Sequence, residues 1–452
     1  MLLLNQVIKW LRLASGTIIA GAVDSASAMP RIIDRGEYMP RWRWMLMRLT
    51  RQLWVRATLI GAMGIVAALL ATVADRFIPW RFPVSIGADA VDSILTIIAS
   101  SMLAVTTFSL NVMTSAYGSA TNNVTPRATK LLMEDAVTQN TLSTFIGSFL
   151  FAIVGIVVLK TGAYGEHGRS ILFVVTIAVI ALIVVALLRW IDHLTRLGRV
   201  SETTERVETA TKCALEERLE EPYLGGVPLR DRSDVPDHAT PLVANAVCYV
   251  QHIDMEALSA CCEEADAEIY LSALPGTFLY SDTPLAWVDW KSGENSEEFR
   301  DGILKAFTLR SERDFDQDPR FGIVVLSEIG TRALSPATND HGTAIDVIGR
   351  LTRLMTIWAK GCEEMRDSEP KYSRVHVPPL KSEELLEDGF MLLARDSAGL
   401  VEVQLRLRKA LTALSRIGDQ DFRAAALHQA QLALDRAEQG LPLDADRARL
   451  RE

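Results

Sequence analysis

Five polar side chains between positions 91 and 114 have the spacing of a single surface: Ser93, Thr96, Ser100, Thr107 and Asn111. At about 100° per residue, steps of three, four, seven and four leave them on one narrow helical face. Hydroxyls and one amide, with no base beside them, are poorly equipped for bond making. The chemistry they suit is hydrogen bonding, either to another helix or to water in a pathway. The rest of the segment is apolar, with Asp92 its one charge, and it is long enough to cross a bilayer. Lipid satisfies neither hydroxyls nor amides, so this face must turn toward protein or toward water. Sequence leaves both readings open.

A second group is Asn339, Asp340, His341 and Thr343, where carboxylate, amide and imidazole lie close enough to hold an ion or small ligand. The same residue types serve equally to cap the helix that follows, and capping is the simpler expectation. The acidic stretch 311–318 lacks the glycine and terminal glutamate of a calcium loop, which predicts a solvated face. Five cysteines (213, 248, 261, 262 and 362) contain no C-x-x-C pair, and the adjacent pair is poor zinc geometry. Reduced thiols are expected. There is no phosphate loop, H-E-x-x-H or G-x-S-x-G. The expectation is a protein that is not an enzyme and has no cofactor and no metal.

The elements that must position these residues divide the chain in two. An apolar fraction of 49% coexists with 23% charge, and the two separate near position 190. The net charge of −9 therefore belongs mainly to the second half, which argues against nucleic acid as a partner. In the first half, 1–53 reads as an interfacial, amphipathic segment, with a signal segment or a further span as alternatives. Arginines at 41, 43, 48, 51 and 56 interleaved with Trp42, Trp44 and Trp54 mark a membrane interface. Hydropathy then predicts a four-span domain over 54–190: 57–74, the striped helix, 142–158 and 171–188. Arg189, Arg196 and Arg199 after the fourth span match the basic residues before the first, so both termini are expected in the cytoplasm. Thr144, Ser148, Ala152 and Gly155 form a small-residue packing stripe. Residues 115–127 read as a polar loop ending in Thr125-Pro126-Arg127. With Asn122 and Asn123 it would form the inner mouth of any pathway. A short surface helix over 128–137 is expected after it.

The second half begins with a juxtamembrane helix and linker, 191–241, where Glu208 and Lys212 are spaced for an i,i+4 pair and 225–241 is Pro-rich. A small β-rich module is expected over 242–292, with strands at 245–253 and 267–272 around a helix at 255–264. The phrase 275–285 resembles the hairpin of barrel-sandwich hybrid domains without their acceptor lysine. From 293 to 452 the pattern is helical. Pro319 follows Asp318 as a helix start, Ser335-Pro336 breaks a helix, and Asp340 caps the next.

The run Arg332-Ala333-Leu334-Ser335-Pro336-x-x-Asn339-Asp340-x-x-Thr343-Ala344, the passage ending in Pro126-Arg127, and Asp318-Pro319-Arg320-Phe321-Gly322 carry a resemblance. On these residues the chain resembles the bacterial membrane proteins grouped as domain of unknown function 2254. His341 stands where that family commonly has Pro, and Thr125 where it commonly has Ser. The resemblance implies four spans and a cytosolic domain, and no activity. The fold class expected is a four-helix transmembrane bundle with a C-terminal cytosolic α+β domain. The expected function is a homo-oligomeric inner-membrane protein with a passive pathway lined by Ser93, Thr96, Ser100, Thr107 and Asn111, its partners being the lipid bilayer, further copies of itself and a small ion or solute. A membrane-anchored scaffold or sensor is the alternative.

Overall fold

The apolar runs of the first half form helices, as their length and lack of breakers require. The computed structural model describes residues 49–50, 52–74, 88–162, 164, 166–291, 297–364 and 369–451. Nearly all of the interfacial segment read at 1–53 lies outside the described residues. The membrane-side helices are α1 (Leu53–Ala74), α2 (Ala88–Asn123), the one-turn α3 (Thr129–Met133), α4 (Ala136–Lys160) and α5 (Glu166–Leu194). Helix α4 is central and packs on α1, α2 and α5. Its contact with α1 is glycine-mediated: a Cβ on Gly64 would lie 2.6 Å from the Gly147 carbonyl oxygen, and one on Gly147 would lie 2.8 Å from Ile60 Cγ2. Small residues permit that approach of backbones, which gains dispersion contact where lipid offers no hydrophobic drive. On α4's opposite side Leu95 of α2 and Leu172 of α5 close on Gly155. Ser148, Ala152 and Gly155 are buried, in keeping with a packing stripe.

Three of these helices, α2, α4 and α5, are long and apolar enough to cross a membrane; in α1 the apolar stretch Trp54–Leu70 is shorter. Helix α2 differs most from expectation. Its 36 residues measure about 54 Å at 1.5 Å per residue, against about 30 Å of hydrocarbon. The segment expected as a loop, 115–127, is helical as far as Asn123. Asn122 and Asn123 are therefore exposed residues of its last turn and not part of a flexible mouth. The Ser/Thr-rich composition misleads here because these hydroxyls bond back into the helix, Thr114 to the Leu110 carbonyl and Thr121 to the Tyr117 carbonyl. Tertiary contacts hold the extension: Tyr117 donates to the Leu132 carbonyl, and Val124 is fully buried among residues of the C-terminal half.

That half opens with α6 (Val200–Glu220). It is no solvated stalk, since Val207 and Leu215 are fully buried in the largest apolar cluster of the chain. Glu208 does not pair with Lys212; it takes Arg350 and Arg353 from a later helix, and Lys212 pairs with Glu216. The stretch read as a linker supplies β1 (Gly226–Pro228) and β2 (Thr240–Val243). They are followed by β3 (Cys248–Ile253), α7 (Met255–Glu264), β4 (Ala267–Leu271), β5 (Phe278–Leu279) and β6 (Pro284–Trp290). Next come α8 (Glu297–Ala306), β7 (Phe307–Arg310), α9 (Pro319–Ala333), α10 (His341–Glu364) and β8 (Tyr372–Val377), then α11 (Ser382–Asp396), α12 (Val401–Leu414), α13 (Gln420–Gly440) and α14 (Asp444–Arg451).

A five-stranded sheet runs β1-β8-β4-β6-β2 and a three-stranded sheet β5-β3-β7. Strands β1 and β8 come from outside 242–292 and pair in parallel, so the β structure is not a local module. Strand β8 interrupts the region read as wholly helical. It adds in parallel to β4 and buries Tyr372, Val375 and Val377. The 275–285 phrase is no hairpin: β5 pairs with β3 while β6 pairs with β4 and β2, in different sheets. Helices α9 to α13 pack with α6 around one apolar core.

Candidate functional site

All five stripe residues of α2 are exposed, on the side of the helix away from α4 and α5. Val91, Leu95, Ile98 and Met102 take the inward side and are buried. The sorting is partial: Thr106 and Ser109 are buried on the inward side, and Ile97 is exposed among the stripe residues. Three of the four hydroxyls are satisfied within the helix. Ser93 donates to the Asp89 carbonyl, Ser100 to that of Thr96 and Thr107 to that of Leu103. Such back-bonding lowers the cost of facing an apolar medium. The Asn111 carboxamide has no hydrogen-bond partner among the described residues. Asp89 precedes Ser93 by one turn and is exposed at the outer end of the same face. Leu103 and Phe108 stand exposed along its margins.

The inner end of α2 is fastened to the C-terminal half at three places. Beyond Asn123 the chain turns at Thr125-Pro126-Arg127. Thr125 is buried and donates to Glu328 on α9, 3.1 Å, and Arg127 Nη1 reaches the same carboxylate at 3.0 Å. The 125–127 stretch singled out in the sequence therefore meets α9, at a residue between the singled-out stretches 318–322 and 332–344. In α3, Lys130 Nζ lies 2.8 Å from the Asp314 carboxylate. The third place is Asp135, the N-cap of α4, which accepts from the Thr138 amide at 2.7 Å. Its carboxylate also holds His193 Nε2 of α5 at 2.9 Å and Arg206 Nη1 of α6 at 2.8 Å. Trp190 is buried and stacks on the His193 ring at 5.7 Å between centroids. His193 is thus part of a buried cluster around the Asp135–Arg206 ion pair.

A family model described as Predicted membrane protein (DUF2254) matches residues 50–413. The chain belongs to this family. Uncharacterised proteins of Mycobacterium bovis and Mycobacterium tuberculosis are each similar to it at 23% identity over 262 residues, 56% of this chain and 49% of the relative. The chain thus spans about half the length of the curated relatives it matches. No solved structure matches. The DUF2254 chain is a membrane protein whose matched region contains all three ties.

Within it, the 332–344 run is a capped turn between α9 and α10. Asp340 accepts from the Thr343 amide at 3.0 Å and from the Thr343 hydroxyl at 2.5 Å, and these bonds hold its carboxyl below the usual range. Asn339 takes the left-handed conformation at φ 50°, one of the few side chains that tolerate it. Its amide donates to the Ser335 carbonyl. His341 lies with Nδ1 2.6 Å from Glu402 and Nε2 3.1 Å from the Asn339 side-chain oxygen. The four residues thus bond one another and Glu402, and serve the chain reversal. Arg332 and Pro336 are exposed beside it. The acidic run is not a solvated face either: Asp318 caps α9 and is paired with Arg313 at 2.7 Å, and both Asp314 and Asp318 are buried. Among the described residues no cluster of His, Cys, Asp and Glu could hold a metal. None of the five cysteines is in a disulfide, and burial pushes the Cys262 thiol up to about 12.

Glu328, Asp314, Asp135 and Arg206 are the residues that sequence reading missed. Their partners on other elements lie 58 to 203 positions away, beyond any local periodicity. Only Asp135 left a local trace, as an aspartate three residues ahead of Thr138 at a helix start.

Proposed function

We propose that this DUF2254 protein crosses the bacterial inner membrane four times with both termini in the cytoplasm, and that copies of it associate through the outward polar face of α2 to form a passive pathway for a small ion or solute. The exposure of Ser93, Thr96, Ser100, Thr107 and Asn111 carries this reading. A bundle helix that buries its apolar side and turns its polar side out needs a polar neighbour, and a symmetry-related α2 supplies one. No titratable group stands on the face between Ser93 and Asn111, which favours passive conduction over ion-coupled pumping. The ties at Glu328, Asp314 and Asp135 would let the C-terminal half set the position of α2's inner end. The absence of catalytic motifs supports a non-enzymatic role.

A second reading, a membrane-anchored scaffold, draws on a different observation. Because three of the four hydroxyls bond back to their own helix, this face tolerates lipid or dry helix packing with only Thr96 and Asn111 unprovided for. Flux through the reconstituted protein separates the two. Wild type is expected to conduct, and Asn111→Leu and Thr107→Leu to reduce flux at least severalfold. Equal flux in all three rejects this lining, and no flux in wild type favours the scaffold.

A further inference from the structure

Helix α6 starts where α5 leaves the membrane: between them Gly198 packs against Ala116 of α2, with a Cβ position 3.2 Å from the alanine side chain. Helix α9 runs antiparallel to α6, since Arg218 reaches the Gln317 carbonyl and Gly322 packs directly on Thr211. Continued to its end, that register brings Arg332 to the first turn of α6. Helix α10 runs parallel to α6, with Arg350 and Arg353 on Glu208 and Gly361 on Leu219, which brings His341 to the same level. The turn 334–340 is therefore at the membrane-proximal end of the C-terminal half, and positions 336–340 are exposed.

Folding of this turn uses Ser335, Asn339, Asp340 and Thr343. It does not use Arg332, whose side chain is exposed with no partner among the described residues. Arg199 is equally free: it is exposed at the N-cap of α6 and makes no side-chain capping bond. The acids nearby are largely taken. Asp192 pairs with Arg196, Glu202 with Arg206 and Glu328 with Arg127, while Glu205 remains exposed about a turn further along α6. Two guanidiniums with no ion-pair partner among the described residues thus stand at the level of the bilayer surface, while Asp340, the carboxylate of the turn itself, is held by Thr343. Guanidinium forks suit phosphate geometry, and the phosphates present at that level are those of lipid.

We propose that Arg199 and Arg332 bind the phosphate of anionic lipid headgroups and hold the 334–340 turn against the membrane. Each basic residue near an anionic surface contributes about 1 kcal/mol, roughly fivefold in occupancy. The test is amide hydrogen exchange of 334–340 in the full chain, in nanodiscs of phosphatidylglycerol and of phosphatidylcholine. Wild type should exchange about 25-fold more slowly in phosphatidylglycerol, roughly fivefold for each arginine, and R199Q/R332Q should exchange alike in the two. Equal exchange of wild type in both bilayers overturns the proposal, as does a difference that survives in R199Q/R332Q. Protection reproduced by inorganic phosphate in phosphatidylcholine nanodiscs also overturns it, by marking a site for free anions. If the double variant melts early in detergent, R332Q alone is read, with a partial loss of the difference expected and an unchanged difference counting against the proposal. None of these outcomes depends on conduction.

Discussion

Asp340 makes the turn between α9 and α10 by accepting two bonds from Thr343, one from its amide and one from its hydroxyl. Replacing it with alanine leaves the first turn of α10 with an orphan amide. The expected loss is about 1 kcal/mol of stability near neutral pH, read from thermal or denaturant melts of the detergent-solubilised protein. The pH dependence has a definite sign. The folded carboxyl is held below its unfolded value of about 4, so its contribution is present above that value and fades as pH falls through the folded one. Wild type and Asp340→Ala should therefore converge in acid. This much of the residue's role was legible in sequence, because a cap and its amide lie three positions apart. Glu328 was not legible, because nothing within ten residues of it announces Thr125 or Arg127.

At the scale of elements, the α1–α4 contact rests on the absence of side chains. Ile60 occupies the space that a Cβ on Gly147 would need, and the Gly147 carbonyl occupies that of Gly64. Gly147→Leu should force the two helices apart. Overpacking of this kind costs on the order of 1–3 kcal/mol, and more where backbone atoms are the obstacle. The expected outcome is reduced recovery of monodisperse protein from detergent extracts and a lower melting temperature, with Gly118→Ala, which meets nothing within 4 Å, as the unaffected control. Helical existence was readable for several elements: α7 falls at 255–264 as expected, and Asp318-Pro319 starts a helix as its residue types predict. Helix ends and strand partners were less readable. The end of α2 is set by Tyr117 and Val124 docking elsewhere, and β1 and β8 find each other across almost 150 residues.

At the scale of the whole molecule, Asp135 joins α4, α5 and α6 and so ties the membrane helices to the C-terminal half. Its side chain is 7% exposed and that of His193 10%. Removing one partner of a buried pair strands the others, at a cost of about 3 kcal/mol or more. Asp135→Ala should lower the melting temperature by several degrees. Asp135→Asn, which keeps an N-cap acceptor for Thr138, should lower it less. An unchanged melt in Asp135→Ala would show that the halves hold together without this cluster.

Composition and period alone determined that this is a membrane protein with a charged C-terminal half, that one crossing helix carries a polar stripe, and where most helices start. These follow from local rules: transfer of apolar side chains, 3.6-residue periodicity and capping within four residues. Tertiary structure decided the direction in which that stripe faces. It also decided that α2 outruns the bilayer, that the β strands split between two sheets, and that 125–127 meets Glu328. Each of those depends on which distant surface offers burial or an opposite charge, and that information appears in no window of the sequence short enough to read.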